Sequence, residues 1–215
     1  MNIAVSGQNA KLTKGKRTAQ RLMDVAEQLF AERGFDGTTL RDVAAAAGIR
    51  EPGIYNHFAS KEALYCAVLE RGLQPMADAI DAVITGRSSL QESAQLPAVI
   101  TDLLARHAAM PALFQQALMS NAHSAAHDMM NDWLDQLFAR GQRVMSVNSA
   151  QSDESATRAR RMAIRMVAMF NLCSGYFLSQ RILDRMGAGD VLEPENLAQQ
   201  KALLRKINRL FLLED

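Results

Sequence analysis

The sequence predicts an all-α protein in which a small amino-terminal helix-turn-helix domain precedes a larger helical domain. Apolar residues recur every three or four positions along most of the 215 residues, which is the pattern of amphipathic helices. No stretch shows the alternating pattern of a half-buried strand. Near the amino end, two short predicted helices are joined by a tight turn that contains glycine. These three observations define the fold class.

Composition places the chain among folded globular proteins, because 48% of its residues are hydrophobic and 22% are charged. No apolar run is long enough for a membrane span, and the opening "MNIAVSGQNAKLTKGKR" lacks the apolar core of a secretory signal. We therefore expect a cytoplasmic protein with no membrane partner. Cys66 and Cys173 lie far apart in helical patterns, which favours two reduced thiols, with a redox sensor as the alternative.

The first sixteen residues are expected to form a flexible basic arm. Five basic residues precede the first acid, Asp24, and they are Lys11, Lys14, Lys16, Arg17 and Arg21. Such a cluster attracts phosphate or anionic lipid, or is simply a solvated terminus.

The first two helices have clear start and stop signals. An apolar stripe predicts a helix over residues 16–33 that ends at Gly34. Thr39 and Asp42 have the spacing of a capping box and open a second helix, which ends at Gly48.

A third, short helix is predicted over residues 51–58, because Pro52 is tolerated in a first helical turn but not deep inside a helix. Its inward-facing residues are expected to be Ile49, Ile54 and Phe58. Ser60 caps a fourth, long helix that runs from Lys61 to about Thr85 and ends at "GRSS".

The rest of the chain is a succession of helices separated by turn and capping residues. Helices are predicted to start at Ser89 with Glu92, to kink or break at Pro97, to restart at Pro111, and, after "NAHS", to run to about Met145. After the polar loop "SVNSAQSDES", one helix is predicted from about Glu154 to Met186, and the last begins at Pro194.

The third helix has the residues of a helix that reads DNA. In "REPGIYNH", Arg50 can donate two hydrogen bonds to guanine, and Gly53 permits a close approach to the groove. Tyr55 and His57 can reach phosphate oxygens and so fix the register of the helix.

These residues belong to longer motifs. The strings "AEQLFAERGFDGTTLRDVAAAAGI" and "IYNHFASKEALYCAVLE" resemble the DNA-binding domain of the TetR/AcrR family of bacterial transcriptional regulators. The resemblance covers about fifty residues with several fixed spacings. It implies a DNA-binding domain over residues 17–62, with a recognition helix at about 51–58, and an effector-binding and dimerisation domain over residues 63–215.

The resemblance also implies roles for individual residues at the DNA. Thr38 and Thr39 would touch phosphate, and Lys61 would clamp another phosphate. Residues facing or flanking the bases would be Arg50, Glu51, Pro52, Gly53 and Asn56, with Tyr55 and His57 at backbone-contacting positions. Family members often carry Ser or Thr where this chain has Arg50, and Pro52 is atypical. An alternative is that Arg50 and Glu51 pair with each other instead of reading DNA.

In the larger domain, the resemblance implies a cavity among the middle helices, and the Met and aromatic content there predicts an apolar or aromatic effector. Ordinary core packing is the alternative for each residue. The candidate effector-binding residues are His107, Met110, Phe114, Met119, Met130, Trp133, Arg165, Met166, Met169, Phe170, Cys173 and Tyr176.

The resemblance further implies that the last two helices pair with those of a second copy as a four-helix bundle. Packing within one chain is the alternative. The candidate interface residues are Leu172, Gly175, Ser179, Leu203, Ile207, Leu210 and Phe211.

Together these features predict a homodimeric, sequence-specific transcriptional repressor that a small apolar or aromatic effector releases from a palindromic operator. The alternatives are an effector-independent accessory DNA-binding protein and an activator of the same fold. An enzyme is not expected, because the chain has no phosphate-binding glycine loop, nucleophile elbow or HExxH motif. No cofactor is expected. His123 and His127 are four residues apart, but no third metal ligand has a fixed spacing to them, so no metal site is predicted.

Overall fold

The computed structural model describes residues 13–85, 90–119, 124–146 and 153–213, and all regular secondary structure in those ranges is helical. The chain divides into two compact units, Met1–Tyr65 and Cys66–Asp215. The division therefore falls inside a long helix, three residues after the domain boundary expected at residue 62.

The first unit contains helices α1 (Lys14–Arg33) and α2 (Leu40–Ala46), a 3-10 helix (Glu51–Asn56) and the first turn of α3 (Lys61–Ile84). Helix α1 starts two residues earlier than predicted, because the Thr13 hydroxyl accepts a hydrogen bond from the backbone N–H of Lys16 at 3.3 Å. It ends at Gly34 as predicted, and that glycine has a φ of 74°.

The core of this unit is built from the apolar faces of its helices. The buried side chains include Leu22, Ala26, Leu29, Phe30, Val43, Ala44, Ile54, Leu64 and Tyr65. The Phe30 ring meets the Tyr65 ring edge-on, with centroids 4.9 Å apart, and Phe35 lies within 6 Å of both rings. These aromatic contacts join the end of α1 to the start of α3.

The short helix predicted over residues 51–58 is present but ends two residues earlier, at Asn56. The segment is a 3-10 helix, Glu51–Asn56, in which the N–H of Gly53 donates to the Arg50 carbonyl at 2.8 Å. The N–H of His57 donates to the Ile54 carbonyl at 2.8 Å, which is the same three-residue spacing. The inward direction of Ile54 was predicted correctly.

Helix α3 begins as predicted, since the Ser60 hydroxyl accepts the N–H of Ala63 at 3.1 Å. Pro75 lies inside this helix. The Pro75 side chain is exposed, so its ring displaces no core packing.

The second unit contains the rest of α3 and seven further helices within the described residues. They are α4 (Leu90–Ser93), α5 (Leu96–Arg106), α6 (Met110–Met119), α7 (Ala125–Ser146), α8 (Asp153–Phe177), α9 (Gln180–Met186) and α10 (Pro194–Leu213). Helix α5 packs against α8 and α10, while α6, α7 and α8 pack against one another. None of the described helices is long and apolar enough to cross a membrane.

The prediction of one continuous helix to Met186 was wrong. The chain turns at Leu178 and Ser179, and the Ser179 hydroxyl donates to the Gly175 carbonyl at 2.8 Å. The N–H of Leu178 donates to that same carbonyl at 3.2 Å, a three-residue spacing that tightens the helix end. Helix α10 begins at Pro194 as predicted and is joined to α5 by an ion pair between Lys201 and Asp102 at 2.7 Å.

Candidate nucleic-acid interface

The predicted base-reading segment is displayed at the surface of the first unit. Arg50, Glu51, Pro52 and Asn56 are exposed, and the Tyr55 side chain is 55% exposed. Gly53 and His57 are half-buried. At Gly53 an added Cβ would have the Ile49 side chain as its neighbour at 3.6 Å, so packing inside the protein does not demand glycine there.

Thr39 is exposed, but its hydroxyl is part of the helix cap that the sequence predicted. The hydroxyl donates to the Asp42 carboxylate at 2.6 Å and accepts the Asp42 N–H at 3.1 Å, while the Thr39 N–H donates to the same carboxylate at 3.1 Å. These hydrogen bonds hold the pKa of Asp42 below its usual value. Thr39 therefore fixes the start of α2 beside the candidate interface.

The expectation that Thr38 touches phosphate was wrong. Its side chain is fully buried, and its hydroxyl lies within hydrogen-bonding distance of the Leu29 carbonyl at 3.1 Å and the Gly34 carbonyl at 2.9 Å. Because a hydroxyl carries one hydrogen, these two carbonyls share it. Thr38 holds the end of α1 against the loop before α2 and is not accessible to DNA.

Lys61 is also engaged inside the domain rather than displayed for phosphate as expected. Its ammonium donates to the Phe35 carbonyl at 2.9 Å and the Thr38 carbonyl at 3.1 Å. It also lies 4.1 Å from the centroid of the Phe35 ring, within the range of a cation–π interaction. The first residue of α3 therefore holds the loop that positions α2.

Sequence reasoning missed Arg41, which is exposed on α2. Its neighbours Ala45 and Ala46 are also exposed, and such small side chains allow a helix to approach a DNA backbone closely. A basic residue at the start of α2 could have been recognised from the sequence, because Arg41 directly precedes the capping residue Asp42.

The candidate effector residues fall into three groups. Met110, Phe114, Met130 and Cys173 are buried, and Met119 is 85% exposed. The half-buried group is His107, Trp133, Arg165, Met166, Met169, Phe170 and Tyr176. The Phe114 and Phe170 rings, on α6 and α8, have centroids 6.4 Å apart. The prediction for Met119 was wrong, because a side chain so exposed cannot line an interior cavity.

Two candidate polar groups are already used by the fold. The Tyr176 hydroxyl donates to the Val191 carbonyl at 2.8 Å, so it is not the free polar handle that the sequence suggested. The Cys173 thiol contacts the Pro97 carbonyl at 3.9 Å, and burial raises its pKa to about 12. A thiol with so high a pKa is not reactive near neutral pH, which argues against a redox sensor at this position.

An open groove of about 440 Å³ lies between α8, α9 and α10. Its lining is Tyr176, Leu183, Asn196, Gln199, Gln200, Ala202, Leu203 and Lys206. The lining is polar as well as apolar, and Tyr176 is the only candidate effector residue in it.

The candidate interface residues lie on the adjacent helices α8 and α10 and in the turn after α8. Leu172, Leu203 and Leu210 are exposed, and Gly175, Ser179 and Ile207 are half-buried. The side chain of Phe211 lies outside the described part of the structure. Further exposed apolar side chains that sequence reasoning missed are Ile164, Val167, Leu178, Ile182 and Met186.

Of the histidine pair considered for metal binding, His123 lies outside the described residues. Among the residues that the structure does describe, no group of three or more His, Cys, Asp or Glu side chains is placed to hold a metal ion.

Comparison with known proteins identifies the first unit. The sequence model for "Bacterial regulatory proteins, tetR family" matches residues 22–68, which cover most of α1, all of α2, the 3-10 helix and the start of α3. Residues 22–68 are therefore similar in sequence to the TetR family. The match spans the exposed segment from Arg50 to Asn56 and includes Lys61.

Two curated regulators of transcription are similar in sequence to part of the chain. The HTH-type transcriptional repressor KstR2 of Rhodococcus jostii (strain RHA1) is 40% identical over 87 residues, which are 40% of this chain and 41% of KstR2. The negative transcriptional regulator IcaR of the biofilm operon icaADBC in Staphylococcus aureus (strain Newman) is 44% identical over 45 residues, 21% of this chain and 24% of IcaR. The chain therefore matches less than half the length of these relatives, and both are regulators of transcription.

Solved structures of TetR-type regulators have a similar fold along most of the chain. A regulator from Aquifex aeolicus VF5 has a TM-score of 0.59 at 18% identity, covering 90% of this chain and 99% of its own. FadR from Bacillus subtilis in complex with stearoyl-CoA has a TM-score of 0.56 at 14% identity, covering 86% of this chain and 96% of its own. At these identities the similarity shows a shared fold, which extends over the second unit of the chain.

Proposed function

We propose that this chain is a homodimeric transcriptional repressor that binds a palindromic operator and is released by a small apolar or aromatic effector. The observation that carries the proposal is the TetR-family match over residues 22–68, combined with the exposure of its base-reading segment. Arg50 is the strongest candidate for base recognition, since an exposed guanidinium can donate to guanine in the major groove.

Dimerisation is supported by the apolar surface of α8, α9 and α10. Leu203 and Leu210 lie seven residues apart, about two helical turns, so they share one face of α10. Helix α10 packs against α8, which exposes Ile164, Val167 and Leu172. Exposed apolar patches of this kind mark protein interaction surfaces. A second copy would cover these apolar faces of α8 and α10. The dimer would then place one recognition segment on each of the two half-sites of the operator.

An apolar effector is supported by the Met and aromatic side chains between α6, α7 and α8. Phe114 of α6 and Met130 of α7 are buried, and thioether side chains adapt to ligands of varied shape. Among structures of the same fold, FadR from Bacillus subtilis is in complex with stearoyl-CoA, which is an acyl ligand. We extend to this chain only the apolar character of that ligand.

Release would follow from a displacement of α3, which runs from Lys61 in the first unit to Ile84 in the second. Lys61 binds the carbonyls of Phe35 and Thr38, directly before α2. A shift of the first turn of α3 would therefore move α2 and the recognition segment that packs on it. The effector must bind the DNA-incompetent conformation more tightly, because a ligand with equal affinity for both conformations does not change their relative populations.

The proposal is tested by capture of genomic DNA fragments with the purified full-length protein at moderate salt, followed by sequencing. Enrichment of a short palindrome that the Tyr55→Ala variant fails to enrich is the expected result. Arg106→Ala is the matched control, because Arg106 is exposed on α5 in the other unit. Uniform recovery of all fragments would contradict sequence-specific regulation and favour an accessory DNA-binding role. A reporter placed under the captured operator then separates a repressor from an activator.

A further inference from the structure

Within the described part of the structure, two ring nitrogens of α7 are buried and have no hydrogen-bond partner. They are Nδ1 of His127 and Nε1 of Trp133. The backbone N–H of His127 is satisfied by the Ser124 hydroxyl at 3.1 Å, so the helix cap leaves only the imidazole nitrogen without a partner. A buried polar atom without a partner destabilises the fold, and native proteins rarely keep one without a reason.

Both nitrogens lie on a helix that packs against α6 and α8. Met130 lies between them in the sequence and is 1% exposed, and α6 contributes the fully buried Phe114. The Phe114 ring in turn approaches Phe170 of α8. Met130, Phe114 and Phe170 are apolar, so none of these three side chains offers a hydrogen-bond partner.

We propose that the interior between α6, α7 and α8 binds an effector with an apolar body and an oxygen at each end, which Trp133 and His127 recognise. The inference rests on the proposed function, because it defines the chemistry of the effector of that regulator. An indole N–H only donates, so Trp133 requires an acceptor such as a carboxylate or carbonyl oxygen. The imidazole nitrogen donates or accepts, so His127 suits a hydroxyl or a carboxylate.

The spacing of the two residues selects an elongated ligand. They are six residues apart on one helix, which corresponds to about 9 Å along its axis. One ligand that serves both positions therefore carries two oxygens separated along its length. A hydroxy or oxo carboxylic acid with an aliphatic or ring body spans this separation, while its apolar part replaces contacts around Met130.

The test uses the fluorescence of Trp133, which is the only tryptophan of the chain. Full-length protein is titrated with ω-hydroxydecanoic acid, which has an oxygen at each end, and with decanoic acid, which has one polar end. We expect a saturable change in tryptophan emission and roughly tenfold tighter binding of the hydroxy acid, the effect of one additional hydrogen bond. No saturable change with either acid, or equal affinity for both, overturns the inference.

Variants separate recognition from general stability. His127→Phe should bring the affinity for the hydroxy acid to within about twofold of that for decanoic acid, since the second hydrogen bond is lost. It should also raise the Tm of the ligand-free protein, because it removes an unpartnered polar atom. Asn131→Ala, at an exposed position of the same helix, should change neither property. A His127→Phe protein that keeps its preference for the hydroxy acid contradicts the assignment.

The outcome is independent of DNA binding. The titration is performed without DNA, and the capture of genomic fragments is performed without the acids. A protein that binds the hydroxy acid but enriches no palindrome would retain the ligand site and contradict the proposed repressor. Enrichment of a palindrome without any change in Trp133 fluorescence would support the proposed repressor and contradict the ligand site.

Discussion

The ammonium of Lys61 lies 2.9 Å from the carbonyl oxygen of Phe35 and 4.1 Å from the centroid of the Phe35 ring. The two residues are 26 positions apart, so this contact closes the small domain by joining the start of α3 to the loop after α1. Thr38 lies in the same loop, where its carbonyl accepts a second hydrogen bond from the ammonium. Lys61 therefore positions the elements that carry the candidate DNA-reading residues.

Lys61→Met should lower the free energy of unfolding of the first unit by about 1–3 kcal/mol, because the Phe35 and Thr38 carbonyls lose a charged donor. DNA affinity should fall on all sequences, while the dependence of the logarithm of affinity on the logarithm of salt concentration keeps its slope. Thermal unfolding and DNA titrations at several salt concentrations measure the two effects. Lys14→Met, at an exposed position of α1, is the stability control. Unchanged stability with a slope reduced by about one would instead assign Lys61 to a phosphate contact.

Thr38→Val should destabilise the protein by about 1–3 kcal/mol, because the substitution keeps the shape of a fully buried side chain but removes its hydroxyl. In the wild type this hydroxyl is the hydrogen-bond donor for the carbonyls of Leu29 and Gly34. Chemical denaturation measures the change. Thr38→Ser retains the hydroxyl and should recover part of the loss. A stable Thr38→Val protein with weakened DNA binding would restore the phosphate role that the family resemblance implies.

Arg50→Ala should weaken binding to the preferred operator by about 1–3 kcal/mol and relax base preference at one position of each half-site. The reason is the loss of a guanidinium that is exposed at the start of the recognition segment. Binding to a library of operators with single base changes measures both effects. Unaltered base preference would favour the alternative in which Arg50 pairs with Glu51.

The Thr39 and Asp42 cap should make the small domain sensitive to acid. The pKa of Asp42 is lowered in the folded protein by hydrogen bonds from Thr39, so its contribution is present above the usual carboxyl pKa and is lost as the pH falls through the lowered value. The stability of the wild type should therefore decline more steeply than that of Asp42→Asn below about pH 4. Denaturation at a series of pH values measures the difference, with Asp36→Asn at an exposed position as control. Parallel curves for wild type and Asp42→Asn would contradict the role of the cap.

Leu203→Arg and Leu210→Arg should convert the proposed dimer to a monomer, because each places a charge on an apolar face that a second copy would cover. Sedimentation measurements on the full-length protein report the mass. Met119→Arg is the matched control, since Met119 is 85% exposed at the end of α6, on a different helix. A wild-type protein that sediments as a monomer would contradict the dimer itself.

Gly72→Ala should destabilise the second unit by about 1–3 kcal/mol, because its added Cβ would lie 2.5 Å from Cγ and 2.8 Å from Sδ of Met110. Met110→Ala creates space at the same contact and should cost less in the Gly72→Ala background than alone. Thermal unfolding of the single and double variants measures the coupling. Additive effects would show that the two side chains do not compete for this space.

Local signals in the sequence were sufficient for much of the fold. The capping box of Thr39 and Asp42, the glycine at position 34 and the proline at position 194 define helix ends through hydrogen bonds and dihedral preferences within a few residues. The motifs around α2 and the recognition segment were also sufficient to identify the family. Such features depend on neighbours in the chain, so the sequence alone determined the all-helical class, and it predicts the place of the DNA-reading segment.

Tertiary contacts decided which polar side chains remain available for function. Thr38 and Lys61 match surface positions in the family motif, yet one is buried and the other binds carbonyls more than twenty residues away. Met119 and Met110 have the same side chain, and only packing leaves the first exposed and presses the second against Gly72. The physical reason is that exposure and hydrogen-bond partners depend on residues distant in the chain, which a local pattern does not specify.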